Sequence, residues 1–252
     1  MNRGPPRNLS YRGLLIAKHR PSCDFPLESK LANTLRHAYI IAPAAFLHEA
    51  SQMTAIRKIC VYCGSGPGTD PAFVAAARTF GKILAENRIE LVYGGGSVGL
   101  MGELSNAVFD HGGTVTGIIP RFLVAREHAL DRGKLIVTRD MHERKQQMFE
   151  HADAFVALPG GIGTLEEVVE QMTWAQLGRH KKPILLANIN EFWEPLCALL
   201  KHMQELRFIR AGLELNYLVT KQVSDILPML IEAVRGLPEA EMAMKATGAD
   251  QL

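Results

Sequence analysis

The sequence is built from short apolar runs that alternate with longer segments of helical spacing. Six such runs and a short seventh follow Ile56, namely KICVYCG, IELVYGGG, TVTGIIP, KLIVT, AFVALPGG, KPILLAN and YLVT. Between the first two lies DPAFVAAARTFGKILAEN, in which Asp70 and Pro71 are typical of a helix start. Buried strands that alternate with helices indicate a parallel sheet covered on both faces. We therefore predict an α/β protein with a doubly wound parallel sheet of six to seven strands.

Three glycine-rich segments come directly after predicted strands. They are Gly64-Ser65-Gly66, Gly94-Gly95-Gly96 and Gly160-Gly161-Ile162-Gly163. In an open parallel sheet, ligands bind beyond the carboxyl ends of the strands. Three loops of this kind at one edge therefore predict a single ligand site.

Charge and cysteine content exclude several classes of protein. The formal net charge of +2 over 252 residues is close to balance, so neither a nucleic acid nor a membrane surface is predicted as a partner. The apolar run AYIIAPAAFL is too short to span a bilayer. Four cysteines, at positions 23, 60, 63 and 197, are too few for a disulfide scaffold and favour a reducing cytoplasm. Cys60 and Cys63 form C-x-x-C on a predicted strand, where they would point to opposite faces, so they are predicted to be core cysteines.

The ends of the chain differ from its centre. Residues 1–52 contain seven Lys or Arg against three Asp or Glu and are interrupted by prolines. This segment is predicted to be a poorly ordered basic extension. Residues 53–237 are predicted to form one domain, and residues 238–252 a frayed tail.

A dinucleotide or an ATP-type phosphate site is disfavoured. GGGSVG, Gly94 to Gly99, matches G-x-G-x-x-G after a strand, but this match alone is weak. An NAD site also needs an acidic residue about 20 positions further on, and the sequence there is GIIPRF. The phosphate loop G-x-x-x-x-G-K-[ST] is absent from the sequence.

The segment PGGIGTLEEVVEQMTWAQLG combines an anion-binding loop with carboxylates. Three glycines can expose backbone N–H groups, and a helix predicted to start at Thr164 adds its positive end, which suits one phosphate. Helical spacing predicts that four apolar side chains face the core: Leu165, Val168, Val169 and Met172. The same spacing places five others on the remaining faces: Glu166, Glu167, Glu170, Thr173 and Trp174.

Spacing leaves two interpretations of these charged residues open. Glu167 either completes a capping box with Thr164 or acts in catalysis, and Glu170 by itself is typical of a solvated face. Arg144 and Lys145 lie early in a predicted helix, where cations oppose the helix dipole. They form either a solvated pair or a cationic pair that faces a phosphate and a carboxylate across the sheet edge.

Three segments, MHERK at 141–145, PGGIGTLEE at 159–167 and TWAQLG at 173–178, carry a resemblance to a known family. They resemble the cytokinin-activating phosphoribohydrolases, the "Lonely guy" family, which has also been labelled "possible lysine decarboxylase". The motifs P-G-G-x-G-T-x-x-E and M-x-x-R-K are both complete. The similarity runs from about Lys58 to Arg235 and includes CGS, YGGGSVGLMG and GIIP.

The resemblance implies an activity. It is cleavage of the N-glycosidic bond of a purine nucleoside 5′-monophosphate, with N6-substituted or plain adenine as the base, to free base and ribose 5-phosphate. It also implies a Rossmann-like nucleotide-binding catalytic domain, a homodimer and no cofactor. No residue reads as the Schiff-base lysine that a pyridoxal-phosphate decarboxylase needs. A carrier on the same fold that binds a nucleotide or the molybdenum cofactor without hydrolysis is the alternative.

The matched motifs assign roles to individual residues by resemblance. Arg144 and Glu167 are the implied catalytic pair, and no metal ligand is implied. The implied substrate-binding residues are Ser65, Gly95, Gly96, Glu127, Met141, Lys145, Gly160, Gly161, Gly163, Thr164, Glu166 and Thr173.

Overall fold

Seven parallel strands form the sheet of this protein in a computed structural model that describes residues 56–210 and 212–235. The strands are β1 (Lys58–Tyr62), β2 (Glu90–Tyr93), β3 (Val115–Pro120), β4 (Lys134–Thr138), β5 (Ala154–Ala157), β6 (Ile184–Ala187) and β7 (Leu218–Thr220). Their order is β4-β3-β2-β1-β5-β6-β7, and every neighbouring pair is parallel. The predicted parallel sheet is confirmed. The predictions for residues 1–52 and 238–252 lie outside the described residues.

In the part of the chain that the structure describes, six α-helices cover both faces of the sheet. They are α1 (Pro71–Glu86), α2 (Gly99–Asp110), α3 (Met141–Glu150), α4 (Ile162–Gln176), α5 (Glu194–Glu205) and α6 (Val223–Arg235). Buried side chains of α1, α2 and α6 share one hydrophobic cluster, and those of α3, α4 and α5 share the other. The helices are therefore divided between the two faces, which confirms the doubly wound α/β fold. Among the described residues, no helix is both long and apolar enough to cross a membrane.

Aspartate side chains cap the starts of α1 and α3. The Asp70 side chain accepts a hydrogen bond from Ala72 N at 2.9 Å, and Pro71 occupies the first position of α1. Asp140 caps α3 in the same way by accepting from Glu143 N at 2.8 Å. Each carboxylate satisfies a backbone N–H that has no partner within its helix and lies at the positive end of the helix dipole.

The two cysteines of the C-x-x-C segment lie on opposite sides of the sheet. Cys60 belongs to the cluster of α3, α4 and α5, whereas Cys63 belongs to the cluster of α1, α2 and α6. Both are buried free thiols, and burial raises the pKa of each thiol well above its usual range. The prediction of core cysteines is confirmed.

The strand order reverses between β1 and β5. These strands are hydrogen-bonded neighbours, with Ile59 paired to Ala154 and Tyr62 paired to Ala157. The helices that follow them, α1 and α4, pack on opposite faces. The two following loops therefore diverge and leave a crevice at the carboxyl edge, as expected at a switch point.

Three details of the predicted helices are wrong. Helix α4 begins at Ile162 rather than Thr164, and α5 begins at Glu194, after a 3-10 turn at Ile189–Glu191, rather than at Glu191. Val169 is 37% exposed rather than in the core. The buried stripe of α4 consists of Thr164, Glu167, Val168, Gln171 and Met172. The helical period is as predicted, but the stripe is rotated because polar side chains share the buried face.

Candidate active site

A cavity of about 360 Å³ opens at the carboxyl ends of β1, β2 and β5. This volume lies within the range of small-ligand sites. The lining residues are Val61, Tyr62, Cys63, Gly64, Ser65, Gly94, Met101, Leu123, Glu127, Met141, Arg144, Gly161, Ile162, Gly163, Thr164, Glu166 and Glu167. The three predicted glycine-rich loops therefore lie around one pocket.

A buried ion pair forms one wall of the pocket. Arg144 from α3 donates from Nη1 to Oε1 of Glu167 on α4, and their side chains are only 10% and 9% exposed. A second bond runs from Nε of Arg144 to the Ile118 carbonyl, at 3.0 Å. Because it is held at two points, the guanidinium has one orientation and brings its charge to the carboxylate.

The glycine at position 94 makes room for that guanidinium. A Cβ atom at Gly94 would lie 2.6 Å from Nη2 of Arg144 and 3.1 Å from the sulfur of Met101. Any larger residue would have to displace one of these side chains. Gly94 was not among the predicted site residues, although its place in a glycine-rich loop after a strand was a usable signal.

Burial also changes the acidity of the carboxylate. Desolvation raises the pKa of the Glu167 carboxyl above its usual range, and the positive charge of Arg144 opposes this rise. The capping-box interpretation of Glu167 is wrong. The N-cap of α4 is Gly161, Thr164 lies inside the helix, and the Glu167 carboxylate bonds Arg144 instead.

The N-terminus of α4 opens into the same pocket. Its N-cap, Gly161, contributes no side-chain hydrogen bond, and both Gly161 and Gly163 line the cavity. The first N–H groups of a helix have no partner within it and carry partial positive charge. Gly160 has a different constraint, because a Cβ there would lie 2.2 Å from Oγ1 of Thr164. The loop thus keeps its backbone close to the first turn of the helix.

The carboxylate of Glu127 enters the pocket from a loop on the opposite side. Its Oε2 atom is buried and has no hydrogen-bond partner among the described residues. Two backbone bonds tie this loop to the β2–α2 connection: Ser97 N donates to the Glu127 carbonyl at 3.1 Å, and Leu130 N donates to the Gly95 carbonyl at 2.9 Å. An unpaired buried acceptor beside a cavity can receive a ligand's hydroxyl or amino group.

Lys145 does not line the pocket, although it follows Arg144 directly. Its Nζ atom lies 2.7 Å from Oε1 of Glu166 and 2.9 Å from Oε1 of Glu170. Neither interpretation from spacing describes it fully, because Lys145 is paired with carboxylates rather than solvated or aimed at the cavity. A solvated face is the wrong description for Glu170, whose side chain is only 22% exposed.

The structure brings most of the predicted site residues together. Nine line the pocket: Ser65, Glu127, Met141, Arg144, Gly161, Gly163, Thr164, Glu166 and Glu167. Gly95, Gly96, Lys145 and Gly160 are not among the lining residues. Thr173 lies apart from the cavity lining, and its hydroxyl donates to the Val169 carbonyl at 2.8 Å. Tyr62, Cys63 and Met101 also line the pocket and were missed. Tyr62 and Cys63 lie at and just beyond the end of β1, which was a usable signal, whereas Met101 lies in the first turn of α2.

The described side chains lack the groups that a metal ion or pyridoxal phosphate requires at this site. Among the described residues, no group of three or more His, Cys, Asp or Glu side chains has the arrangement of a metal site. The residues that line the pocket include no lysine. Lys145, the residue next to the catalytic arginine candidate, is occupied by two carboxylates. These side chains do not fit a Schiff-base cofactor.

The fold and the pocket together define a class of protein. It is a Rossmann-like α/β protein with a cavity of about 360 Å³ at the switch point, a helix N-terminus that opens into this cavity and a buried carboxylate–guanidinium pair. Comparison with known proteins identifies a family within this class. Residues 101–230 match the family model described as "Possible lysine decarboxylase".

Curated relatives of this chain carry names that differ from that description. The chain is 46% identical over 179 residues to "Probable cytokinin riboside 5'-monophosphate phosphoribohydrolase LOG4" of Oryza sativa subsp. japonica, covering 71% of this chain and 78% of that protein. It is 43% identical to "Cytokinin riboside 5'-monophosphate phosphoribohydrolase" of Rhodococcoides fascians, covering 66% of this chain and 85% of that protein. The chain belongs to the family of the cytokinin riboside 5′-monophosphate phosphoribohydrolases.

Solved structures support the fold assignment. The "Moco Carrier Protein from Chlamydomonas reinhardtii" superposes with a TM-score of 0.54 at 22% identity, covering 72% of this chain and 99% of that one. A "molybdenum cofactor binding protein" from Rippkaea orientalis gives 0.53 at 23% identity, covering 71% and 98%. At these identities the likeness concerns the fold alone.

Proposed function

We propose that this protein hydrolyses the N-glycosidic bond of an adenosine 5′-monophosphate, N6-substituted or plain, to free base and ribose 5-phosphate. The observation that carries the proposal is the buried Arg144–Glu167 pair beside the open N-terminus of α4 in one pocket. The names of the curated relatives indicate the class of substrate, which is a cytokinin riboside 5′-monophosphate. We propose residues 53–237 as the catalytic domain.

The 5′-phosphate is assigned to the first turn of α4. Gly161, Gly163 and Thr164 line this end of the cavity, and the N-cap leaves backbone N–H groups available. The partial positive charge of the helix end favours a bound anion. Binding the phosphate there fixes the ribose in the pocket and supplies binding energy remote from the bond that breaks.

The carboxylates serve the other end of the ribose. Breaking the C1′–N9 bond builds positive charge on the sugar, as in glycoside hydrolysis. Glu167 stabilises that charge and orients or deprotonates the attacking water, while Glu166 and Glu127 accept hydrogen bonds from the substrate. Arg144 holds the Glu167 carboxylate in place through the bond described above. Ser65 and Met141 complete the walls around the ligand, and Gly95 and Gly96 support the Glu127 side.

The test is base release by the wild type and by Glu167→Gln. AMP and isopentenyladenosine monophosphate are incubated with each protein, and the free base is separated by chromatography. The amide can still accept the Arg144 hydrogen bond, so the fold is expected to survive, as its melting temperature will report. We expect a loss of activity of about 10²- to 10⁴-fold, the usual contribution of a positioned acid or base.

Three outcomes would contradict parts of this proposal. A wild type that binds both nucleotides and releases no base favours the non-hydrolysing carrier. A Glu167→Gln variant as active as the wild type removes Glu167 from the chemistry. The nucleoside without phosphate should be a poor substrate, and turnover equal to that of the monophosphate would overturn the phosphate site on α4.

We also propose that the protein is a cytoplasmic homodimer. Support comes from large apolar side chains exposed on the layer of α4 and α5, among them Ile162 and Leu177 at the two ends of α4. Leu206 and Phe208 after α5 are likewise exposed, at 56% and 80%. Large exposed apolar side chains are candidates for a subunit interface. Light scattering after gel filtration is expected to give twice the chain mass, and a Phe208→Glu variant should shift toward the monomer.

A further inference from the structure

Three charged side chains form a cluster beside the pocket. Lys145 on α3 contacts Glu166 and Glu170 on α4 through a single Nζ atom, at 2.7 Å and 2.9 Å. Of the three, only Glu166 also lines the cavity. The cluster therefore connects a pocket residue to a carboxylate, Glu170, that has no contact with the cavity.

The cluster contains two negative charges and one positive charge. Glu166 and Glu170 are four residues apart on one helix, where like charges repel each other. One ammonium placed between two carboxylates offsets that repulsion and ties both to the neighbouring helix. Partial burial of Lys145 opposes its charged form, but the bonds to Glu166 and Glu170 outweigh this and raise the pKa of its ammonium. Lys145 consequently stays charged throughout the neutral pH range.

The two carboxylates differ in how firmly they are held. The Glu166 side chain is 50% exposed, whereas that of Glu170 is 22% exposed. The Oε2 atom of Glu170 is buried without a hydrogen-bond partner among the described residues. Leaving a carboxylate oxygen unpaired in this way carries a desolvation cost. The compensation visible in the structure is the bond from its other oxygen to Lys145.

We infer that Glu170 is a positioning residue: it holds the Lys145 ammonium against α4, and the ammonium restricts the exposed Glu166 carboxylate to one orientation at the pocket wall. This inference rests on the proposed function, in which Glu166 accepts hydrogen bonds from the substrate ribose. Without Glu170, Lys145 loses its better enclosed partner, and Glu166 regains rotamer freedom that binding must then restrict.

The inference is tested by binding of ribose 5-phosphate, the proposed product, which undergoes no turnover. Calorimetry on the full chain gives Kd for the wild type and for Glu170→Ala, Glu170→Gln, Glu166→Ala and the double variant Glu166→Ala/Glu170→Ala. For Glu170→Ala we expect Kd to rise about five- to tenfold, as for a lost charge-assisted bond. Glu170→Gln should lose less, because its amide oxygen still accepts from Lys145.

The double variant separates positioning from a general structural effect. If Glu170 acts through Glu166, adding Glu170→Ala to Glu166→Ala, which removes the group that Lys145 holds, should not weaken binding further. Glu150→Ala is the matched control, because this exposed glutamate of α3 bonds Gln146 and Gln147 on its own helix and has no part in the cluster. Its Kd and melting temperature should equal those of the wild type.

Each of the remaining outcomes either supports or contradicts the positioning role of Glu170. Independent, multiplicative losses in the double variant, or a Glu170→Ala variant that binds like the wild type, would overturn the inference. Base release from AMP is measured in parallel with the same proteins. If the wild type binds ribose 5-phosphate but releases no base, the hydrolase proposal fails while the positioning role stands. If the wild type binds no ribose 5-phosphate, the pocket assignment and this inference both fail.

Discussion

Two consecutive residues of α3 meet two consecutive residues of α4, and the resulting ion pairs lie in opposite environments. Arg144 pairs with Glu167 in a nearly dry setting, with side chains 10% and 9% exposed. Lys145 pairs with Glu166, whose side chain is 50% exposed, and with Glu170. A move of one residue along a helix turns the side chain to a different side of that helix. The exposure of the charge to water, and with it the effective dielectric constant around the pair, changes as a result. The same kind of charge pair is therefore expected to act very differently in the two places.

The largest difference should come from removing the cation of each pair. Arg144→Met leaves the buried Glu167 carboxylate without its partner, so we expect a loss of about 3–5 kcal/mol in the free energy of unfolding. Lys145→Met leaves the partly buried Glu170 without its cation, but Glu166 is half exposed, so the loss should be smaller, about 1–2 kcal/mol. Urea unfolding of both variants measures the two values. Equal losses would show that burial does not distinguish the pairs.

A smaller effect is expected from crowding the buried pair without removing a charge. In Gly94→Ala the new Cβ meets Nη2 of Arg144 at 2.6 Å, and such overpacking typically costs about 1–3 kcal/mol. Gly163→Ala is the matched control, because a Cβ there has nothing within 4 Å and alanine favours the helix. Thermal unfolding should show a lower melting temperature for Gly94→Ala alone. An unchanged melting temperature would mean that Arg144 has freedom to move aside.

The pH dependence of stability and of activity should report the titration of the buried Glu167 carboxylate. Because the pKa of Glu167 is raised above the ordinary 4.5, the folded protein binds a proton that the unfolded chain has already released. Its contribution to stability is therefore lost as pH rises through the raised pKa, by at most about 1.4 kcal/mol per pH unit. Activity that needs the ionised form should rise over the same range.

Two titrations check this prediction. The stability of the wild type relative to Glu167→Gln is measured by urea unfolding from pH 4.5 upward, and kcat/KM of the wild type is followed over the same range. The relative stability should fall while the activity rises. A relative stability that instead increases with pH would mean that Arg144 dominates and lowers the pKa of Glu167.

The smallest predicted difference concerns salt. At about 1 M salt the screening length is about 3 Å, so the effect of Lys145→Met on stability should diminish, because Glu166 is half exposed to solvent ions. The effect of Arg144→Met should remain, because the buried pair is shielded from solvent ions. Repeating the urea unfolding at low and high sodium chloride measures both. Parallel screening of the two effects would contradict the difference in burial.

Local sequence signals predicted most of the fold. Strands β1, β2, β3, β5 and β6 were recognisable as apolar runs because parallel strands covered on both faces bury nearly every side chain. The edge strand β4 is also mostly apolar, although only Thr138 in it is buried. Asp70 and Pro71 marked the start of α1 because both act within one helical turn. Glycine-rich loops after three of the strands located the pocket, since the carboxyl ends of parallel strands share one edge.

The sequence by itself determined the α/β class, the strand succession and the edge at which the ligand site lies, because these depend on contacts a few residues apart. Only the tertiary structure decided which charges pair. Spacing left Glu167 between a cap and a catalytic role, and Lys145 between a solvated and a phosphate-facing one. The packing of α3 against α4, with Gly94 leaving room, placed the first carboxylate on Arg144 and the ammonium between Glu166 and Glu170. The rotation of a helix about its axis is set by all the surfaces it packs against, and no local pattern encodes it.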